Sequence, residues 1–250
     1  MVARCVQAAN REPRRKGLKP DLLLLHYTGM GSAAAAIDWL TRAESRVSCH
    51  YAVDEHGVIT QMVAEEERAW HAGLSHWAGE DDINSCSIGI EIHNPGHQID
   101  YWDFSPRQMD AVEELCADIV RRRRITPGRV LGHSDVAPRR KDDPGEKFDW
   151  RRLALAGVGL WVEPAPIGSD TGLDAGSHGE AEHTAIAGLQ RRLQGIGYGV
   201  AANGVYDEDM RRVVLAFQRH WRQALVDGRA DASTIETLAR LEKALRAATV

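Results

Sequence analysis

Four consecutive leucines, Leu22 to Leu25, bounded by Asp21 and His26, constrain this chain more than any other feature. The run is far too short to span a membrane and lacks the spacing of an amphipathic helix. Read as a strand, it points apolar side chains both ways and must be covered on both faces, as in sheets layered with helices. His26 stands at its C-terminal end, where open α/β sheets tend to place their chemistry. A further strand is predicted over Ser87 to His93, with Ile88, Ile90 and Ile92 on one face and Gly89, Glu91 and His93 on the other. HYAVDEHGVITQMV reads as a hairpin turning through Asp54 to Gly57. Ser32 is placed to cap a helix over Ala33 to Leu40, and Ser105 with Pro106 opens another whose stripe is Met109, Val112, Cys116, Ile119 and Val120. That helix ends in Arg121 to Arg124, a run suited to a solvated, electrostatically favourable C-terminus. Together these elements predict an α/β fold, a mixed β-sheet flanked by helices.

The stretch EPAPIGSDTGLDAGSHGEAE, residues 163–182, is dense in Gly, Pro, Ser and Asp and reads as a linker. Beyond it, Ile186, Leu189, Leu193 and Ile196 recur at helical spacing, as do Met210, Val213, Phe217 and Trp221, and then Ile235, Leu238, Leu241 and Leu245. The expected organisation is a first domain over 1–162, a linker over 163–182 and a three-helix bundle over 183–250. With 43% hydrophobic and 27% charged residues and a net charge of −5, the composition argues against wholesale disorder and against nucleic acid as a partner. No stretch reaches the length of a membrane span, and the N-terminus lacks the apolar run of a signal peptide. The cysteines at 5, 49, 86 and 116 have no paired spacing and read as ordinary thiols.

The loop GHSDVAPRRKDDPG, residues 132–145, follows a short predicted strand, Arg129 to Leu131, and concentrates His133, Asp135, Lys141, Asp142 and Asp143. A hydrolytic zinc site needs three N or O ligands and one open position. His26, His133 and one of Asp135, Asp142 or Asp143 supply that set. Glu91 is positioned to act as a general base and Lys141 to stabilise charge on a carbonyl oxygen, unless the two merely pair with each other or with arginines.

HYTGMGSAAAAIDWL, SCHYAVDEHGVITQMV, RAWHAG, INSCSIGIEIHNPG and GHSDVAPRRKDDPGEKFDW, taken together, resemble the zinc-dependent N-acetylmuramoyl-L-alanine amidases of the AmpD and AmiD type, which share their fold with peptidoglycan recognition proteins. The similarity runs from about Lys19 to Val162. GLQRRLQGIGYGVAANGVYDEDMRRVVLAFQRHW and the following VDGRADASTIETLARL are similar to the peptidoglycan-binding three-helix domain found beside many wall hydrolases. The resemblance implies zinc held by His26, His133 and Asp143, with Glu91 and Lys141 catalytic. The reaction implied is hydrolysis of the amide joining N-acetylmuramic acid to L-alanine in peptidoglycan or muropeptides. His50, Trp70, His71 and Asn84 lie in the matched blocks as candidate substrate contacts, whereas His56 and His97 read as solvated. A pure peptidoglycan binder would need none of that chemistry, and a zinc endopeptidase would release peptide fragments instead of a freed muramyl sugar. The binding module fits the cell envelope, while the N-terminus and the unpaired cysteines fit the cytoplasm. Because every candidate catalytic residue precedes Val162, residues 183–250 are expected to act as a tethered anchor outside the chemical step.

Overall fold

The computed structural model describes residues 2–170 and 172–248. In chain order the elements are β1 (Val2–Cys5), β2 (Arg11–Pro13), β3 (Leu22–Tyr27), α1 (Ala33–Thr41), β4 (Tyr51–Val53), β5 (Ile59–Gln61), β6 (Glu67–Ala69), α2 (Ile83–Cys86), β7 (Ser87–Ile92) and α3 (Pro106–Arg123). There follow β8 (Val130–Gly132), α4 (His133–Val136), α5 (Trp150–Leu155), α6 (Glu180–Ile196), α7 (Glu208–Trp221) and α8 (Ala232–Ala248). One sheet has the order β1-β5-β4-β7-β3-β8, and β2 pairs with β6 apart from it. The leucine strand β3 runs parallel to both its neighbours, β7 and β8, and β4 is parallel to β7 but antiparallel to β5, so the sheet is mixed as expected. β4 and β5 form the predicted hairpin, where Asp54 Oδ1 accepts from the backbone N–H groups of His56 and Val58 and Gly57 takes a φ of 77°. The Ser32 and Ser105 hydroxyls cap α1 and α3 as their sequence positions suggest.

Strand alternation explains how the leucines are used. Leu23 and Leu25 join the isoleucines of β7 against Val112, Leu115, Cys116 and Ile119 of α3. Leu22 and Leu24 face the other way, into a cluster with Leu131 and Val136 that continues through Met210, Val213, Phe217 and Trp221 of α7. That second face is therefore closed in part by the C-terminal bundle, whose α7 and α8 also place Trp221 and Leu241 beside Val130 and Leu131 on the outer strand β8. The 163–182 stretch lies along the bundle: Ala165 N–H donates to Thr237 Oγ1, Ser233 Oγ donates to Ala165 O, and Leu173 bridges Ala230. Among the described residues no helix is long and apolar enough to cross a membrane. Cys49, Cys86 and Cys116 are buried, and Cys5 is exposed.

The arginine run at the end of α3 is not simply solvated. Arg122 and Arg123 both pair with Glu65, whose side chain is 4% exposed and also accepts a 2.7 Å hydrogen bond from Tyr51 Oη. Burial alone would raise the Glu65 pKa, but the hydrogen bonds from Arg122, Tyr51 and Arg123 outweigh it and bring it down to about 2. A carboxylate whose folded pKa is depressed stabilises above its unfolded value and loses that contribution as pH falls through the folded one. Glu65→Gln should therefore cost roughly 2–3 kcal/mol at pH 7, with the difference from the unaltered chain shrinking between about pH 4.5 and pH 2. Urea midpoints measured across that window check this, and a pH-independent difference would contradict the charge assignment.

Candidate active site

His26 is the sixth residue of the leucine run read from Asp21, and β3 register sets it opposite Glu91 on β7. His133 follows β8, the strand on the other side of β3, at the start of α4. Asp143 returns on the loop after α4, and its backbone carbonyl accepts from Ser134 N–H at 2.9 Å. The outcome is a buried triangle. His26 Nδ1 and His133 Nδ1 are 2.9 Å apart, and Asp143 Oδ2 lies 3.1 Å from each.

The hydrogen-bond partners behind the rings fix which nitrogens carry protons. His133 Nε2 faces Ala72 O at 3.0 Å and must donate to it. Ser87 Oγ sits 2.5 Å from Ile83 O, which can only accept, so the hydroxyl donates there and accepts from His71 Nε2. His71 Nδ1 is then an acceptor, and His26 Nε2 donates to it at 3.1 Å. Both Nδ1 atoms are consequently bare. Three lone pairs converge on one point, a repulsive arrangement that only a cation or a shared proton relieves. Burial, reinforced by neighbouring His133, lowers the His26 pKa to about 4 and so disfavours the proton. Asp143 stays ionised, because its contacts with His133 and His26 outweigh the burial that would raise its pKa. Three buried N and O donors with one side open fit a divalent metal of the zinc type, and His26, His133 and Asp143 form the metal-capable group among the described residues.

Of the three aspartates left open by spacing, only Asp143 reaches the histidines. Asp135 points away, accepting from Gly132 N–H at 2.8 Å, and Asp142 pairs with Arg219 at 3.0 Å. Glu91 and Lys141 line the same cleft of about 210 Å³ as His71, His133 and Asp143. Neither is ion-paired among the described residues, and Glu91 Oε2 is buried without a hydrogen-bond partner. Burial, with Asp143 nearby, raises the Glu91 pKa well above the carboxylate range, opposed by Lys141.

The candidate substrate contacts divide. His71 lines the cleft but serves His26, and Gly89 leaves room for its ring, which a Cβ would meet at 2.5 Å. His50 is wholly buried, accepting from Gly89 N–H on Nδ1 and donating from Nε2 to Glu67 O at 3.1 Å, so it is a structural support where a groove contact was expected. Asn84 is likewise a support: its Oδ1 accepts from the N–H groups of both His71 and Ala72, fixing the segment that orients the two histidines. Trp70 is partly exposed, its backbone N–H bonded to Ser48 Oγ, and Ser48 lines the cleft. His97, expected in solvent, stacks on Tyr101 with centroids 4.1 Å apart and bonds Tyr27 Oη and Glu146. Sequence reasoning missed the cleft walls Tyr27, Met30, Trp39 and Leu40, which come from a strand end, a loop and a helix and share no distinctive spacing.

Residues 16–146 match the family model described as N-acetylmuramoyl-L-alanine amidase, and residues 182–238 match a peptidoglycan binding domain model. The chain belongs to the N-acetylmuramoyl-L-alanine amidase family. It is 37% identical over 242 residues to the Escherichia coli N-acetylmuramoyl-L-alanine amidase AmiD, covering 91% of this chain and 82% of that one. A solved complex of E. coli AmiD with anhydro-N-acetylmuramic acid-L-Ala-D-gamma-Glu-L-Lys matches with a TM-score of 0.75 and 34% identity over 94% of this chain and 92% of that chain. Pseudomonas aeruginosa AmpDH3 in complex with anhydromuramic pentapeptide gives a TM-score of 0.76 and 31% identity over 94% and 96% of the two chains. The enzyme class and mixed-sheet fold read from the sequence both hold, and the C-terminal match agrees with the helical pattern found there.

Neutral buried histidines also set a pH dependence for this amidase. His26 protonates near pH 4 and His50 near pH 3, both through burial, and His71 is lowered as well. The unfolded chain takes up those protons near pH 6.5, so stability is full above that value and falls by about 1.4 kcal/mol per pH unit per histidine as pH drops toward 4. Chelator-treated protein should show urea midpoints that decline steadily from pH 7 to pH 5. A constant midpoint would show that the histidines are not held neutral.

Proposed function

We propose that His26, His133 and Asp143 hold a zinc ion and that Glu91 and Lys141 carry the proton and charge transfers of hydrolysis at the amide between N-acetylmuramic acid and L-alanine, in peptidoglycan or its muropeptide fragments. The observation that carries this reading is the convergence of two bare Nδ1 atoms and one ionised carboxylate oxygen at the floor of an open cleft. When bound, the ion supplies Lewis acidity and lowers the pKa of a coordinated water to about 7.

Glu91, with its raised pKa and unpartnered Oε2, accepts the proton of the attacking water and later delivers it to the departing alanine nitrogen, which is too basic to leave as an anion. Lys141 brings an unpaired ammonium to the carbonyl oxygen as negative charge develops there. Trp39, 42% exposed on α1, and Met30 offer the apolar wall that a lactyl-sugar needs beside the scissile bond. Similarity to relatives solved with anhydromuramyl peptides supports a substrate of that chemistry.

Two variants separate the roles. His133→Ala should lose both tight zinc binding and turnover, and full zinc occupancy in that variant would remove His133 from the ligand set. Glu91→Gln should retain zinc while kcat on a soluble anhydromuramyl tripeptide falls by at least about 10²-fold. Mass spectrometry of the products checks the bond cleaved: a free peptide beginning with L-alanine and a muramyl carboxylate are expected, whereas fragments cut within the peptide would contradict the reading.

A further inference from the structure

Asp135, one of the three aspartates that spacing left open as a ligand, is instead held from outside the metal-facing triangle. Asp135 is 1% exposed, and its carboxylate receives three donors. One is local, the Gly132 N–H at 2.8 Å, which closes the turn that presents His133. The other two come from the C-terminal bundle: Tyr198 Oη at 2.6 Å to Oδ1 and His220 Nδ1 at 2.7 Å to Oδ2. Both donors are themselves buried, at 1% and 2% exposure. The His220 ring lies between Trp150 of α5 and Trp221 of α7, with centroid separations of 3.8 Å on each side and interplanar angles of 20° and 6°. Its orientation is thus set by packing before the hydrogen bond is made.

The same helix reaches the far arm of the loop. Arg219, whose side chain is 12% exposed, pairs with Asp142, the residue before Asp143. Gln223 Nε2 donates to Phe148 O at 2.7 Å just beyond it. The loop from His133 to Asp143 is therefore gripped by the bundle beside both of its metal-facing residues, and Gly132 and Pro144 are in such close approach that a Cβ at Gly132 would meet Pro144 Cδ at 2.7 Å. A displacement at one end is felt at the other.

We propose that Tyr198, Arg219 and His220 are positioning residues for the metal site, acting through Asp135 and Asp142, so that the C-terminal bundle sets zinc affinity and kcat and is not only an anchor for polymer. This inference rests on the zinc reading above. A buried carboxylate deprived of its donors must reorient or draw in water, and the turn it closes carries His133. Groups that orient metal ligands from outside the coordination sphere typically change affinity by roughly 10–100-fold when removed.

The test uses the full chain. Tyr198→Phe removes one hydroxyl, and His220→Phe keeps a ring between the two tryptophans while removing the donor. The double variant should weaken zinc binding, measured by chelator competition, by roughly 10–100-fold and lower kcat on a soluble muropeptide with little change in KM. His220→Asn, which returns an N–H near the Nδ1 position, should recover much of the loss. Tyr206→Phe, which removes a buried hydroxyl bonded to Gly228 O within the bundle, serves as the comparison and should leave zinc affinity unchanged. If the double variant fails to fold, Tyr198→Phe alone carries the measurement. Zinc affinity within twofold of the unaltered chain overturns the inference, as does an equal loss in Tyr206→Phe, which would mark a general stability effect. Failure of the unaltered chain to bind zinc at all would overturn the metal reading and this inference with it.

Discussion

The hydrogen-bonded pairing of β3 with a parallel strand on each side sets the frame on which the site is built. Register along β7 brings Glu91 level with His26, and register along β8 ends the neighbouring strand one residue before His133. Strand neighbours lie about 4.8 Å apart, so His26 and Glu91, at the same height on one face, meet through register alone, and the loop after α4 adds Lys141 and Asp143. The price of that convergence is electrostatic, since lone pairs and a carboxylate are pressed together away from water. A doubly paired strand at its centre helps sustain such an arrangement.

Supporting groups then narrow the chemistry. Ala72 O and His71 hold the two imidazoles in one tautomer, and Asn84 holds the backbone that bears both. The cleft leaves Glu91 and Lys141 without an ion-pair partner among the described residues, an arrangement that costs stability and is useful only where charge moves. Stability is recovered at a distance, in the Glu65 cluster with Arg122 and Arg123 and in the apolar layers above and below the sheet.

Much of this was legible in the sequence because strands alternate. The face shared by Leu22, Leu24 and His26, and the face of β7 that carries Glu91, follow from counting by twos. The loop around His133 announced itself through its Gly and Pro punctuation and its charge density. Selecting Asp143 from three aspartates needed the family resemblance, because spacing says nothing about which way a loop carboxylate turns. The roles of His50, Asn84 and the arginine run were misread for a related reason. Their partners lie tens of residues away, Gly89 for His50 and Glu65 for Arg122, and no local pattern encodes such a pairing. Asp135 was a similar case, since its partners Tyr198 and His220 lie 63 and 85 residues further along the chain.

The position of β8 carries a consequence for the chain while it folds. Outer strands are templates on which other chains can add, and proteins usually blunt them with charge, brevity or a covering element. At one margin of the sheet stands β1, four exposed residues long and carrying Arg4. At the other stands β8, whose Val130 and Leu131 are apolar and undefended by charge of their own. Trp221 and Leu241 of the bundle lie against them. Synthesis proceeds from the N-terminus, so the sheet is complete before its guard exists, and an arrested or clipped chain would present a bare apolar margin to its neighbours. The last three helices are in that sense a built-in plug against strand addition.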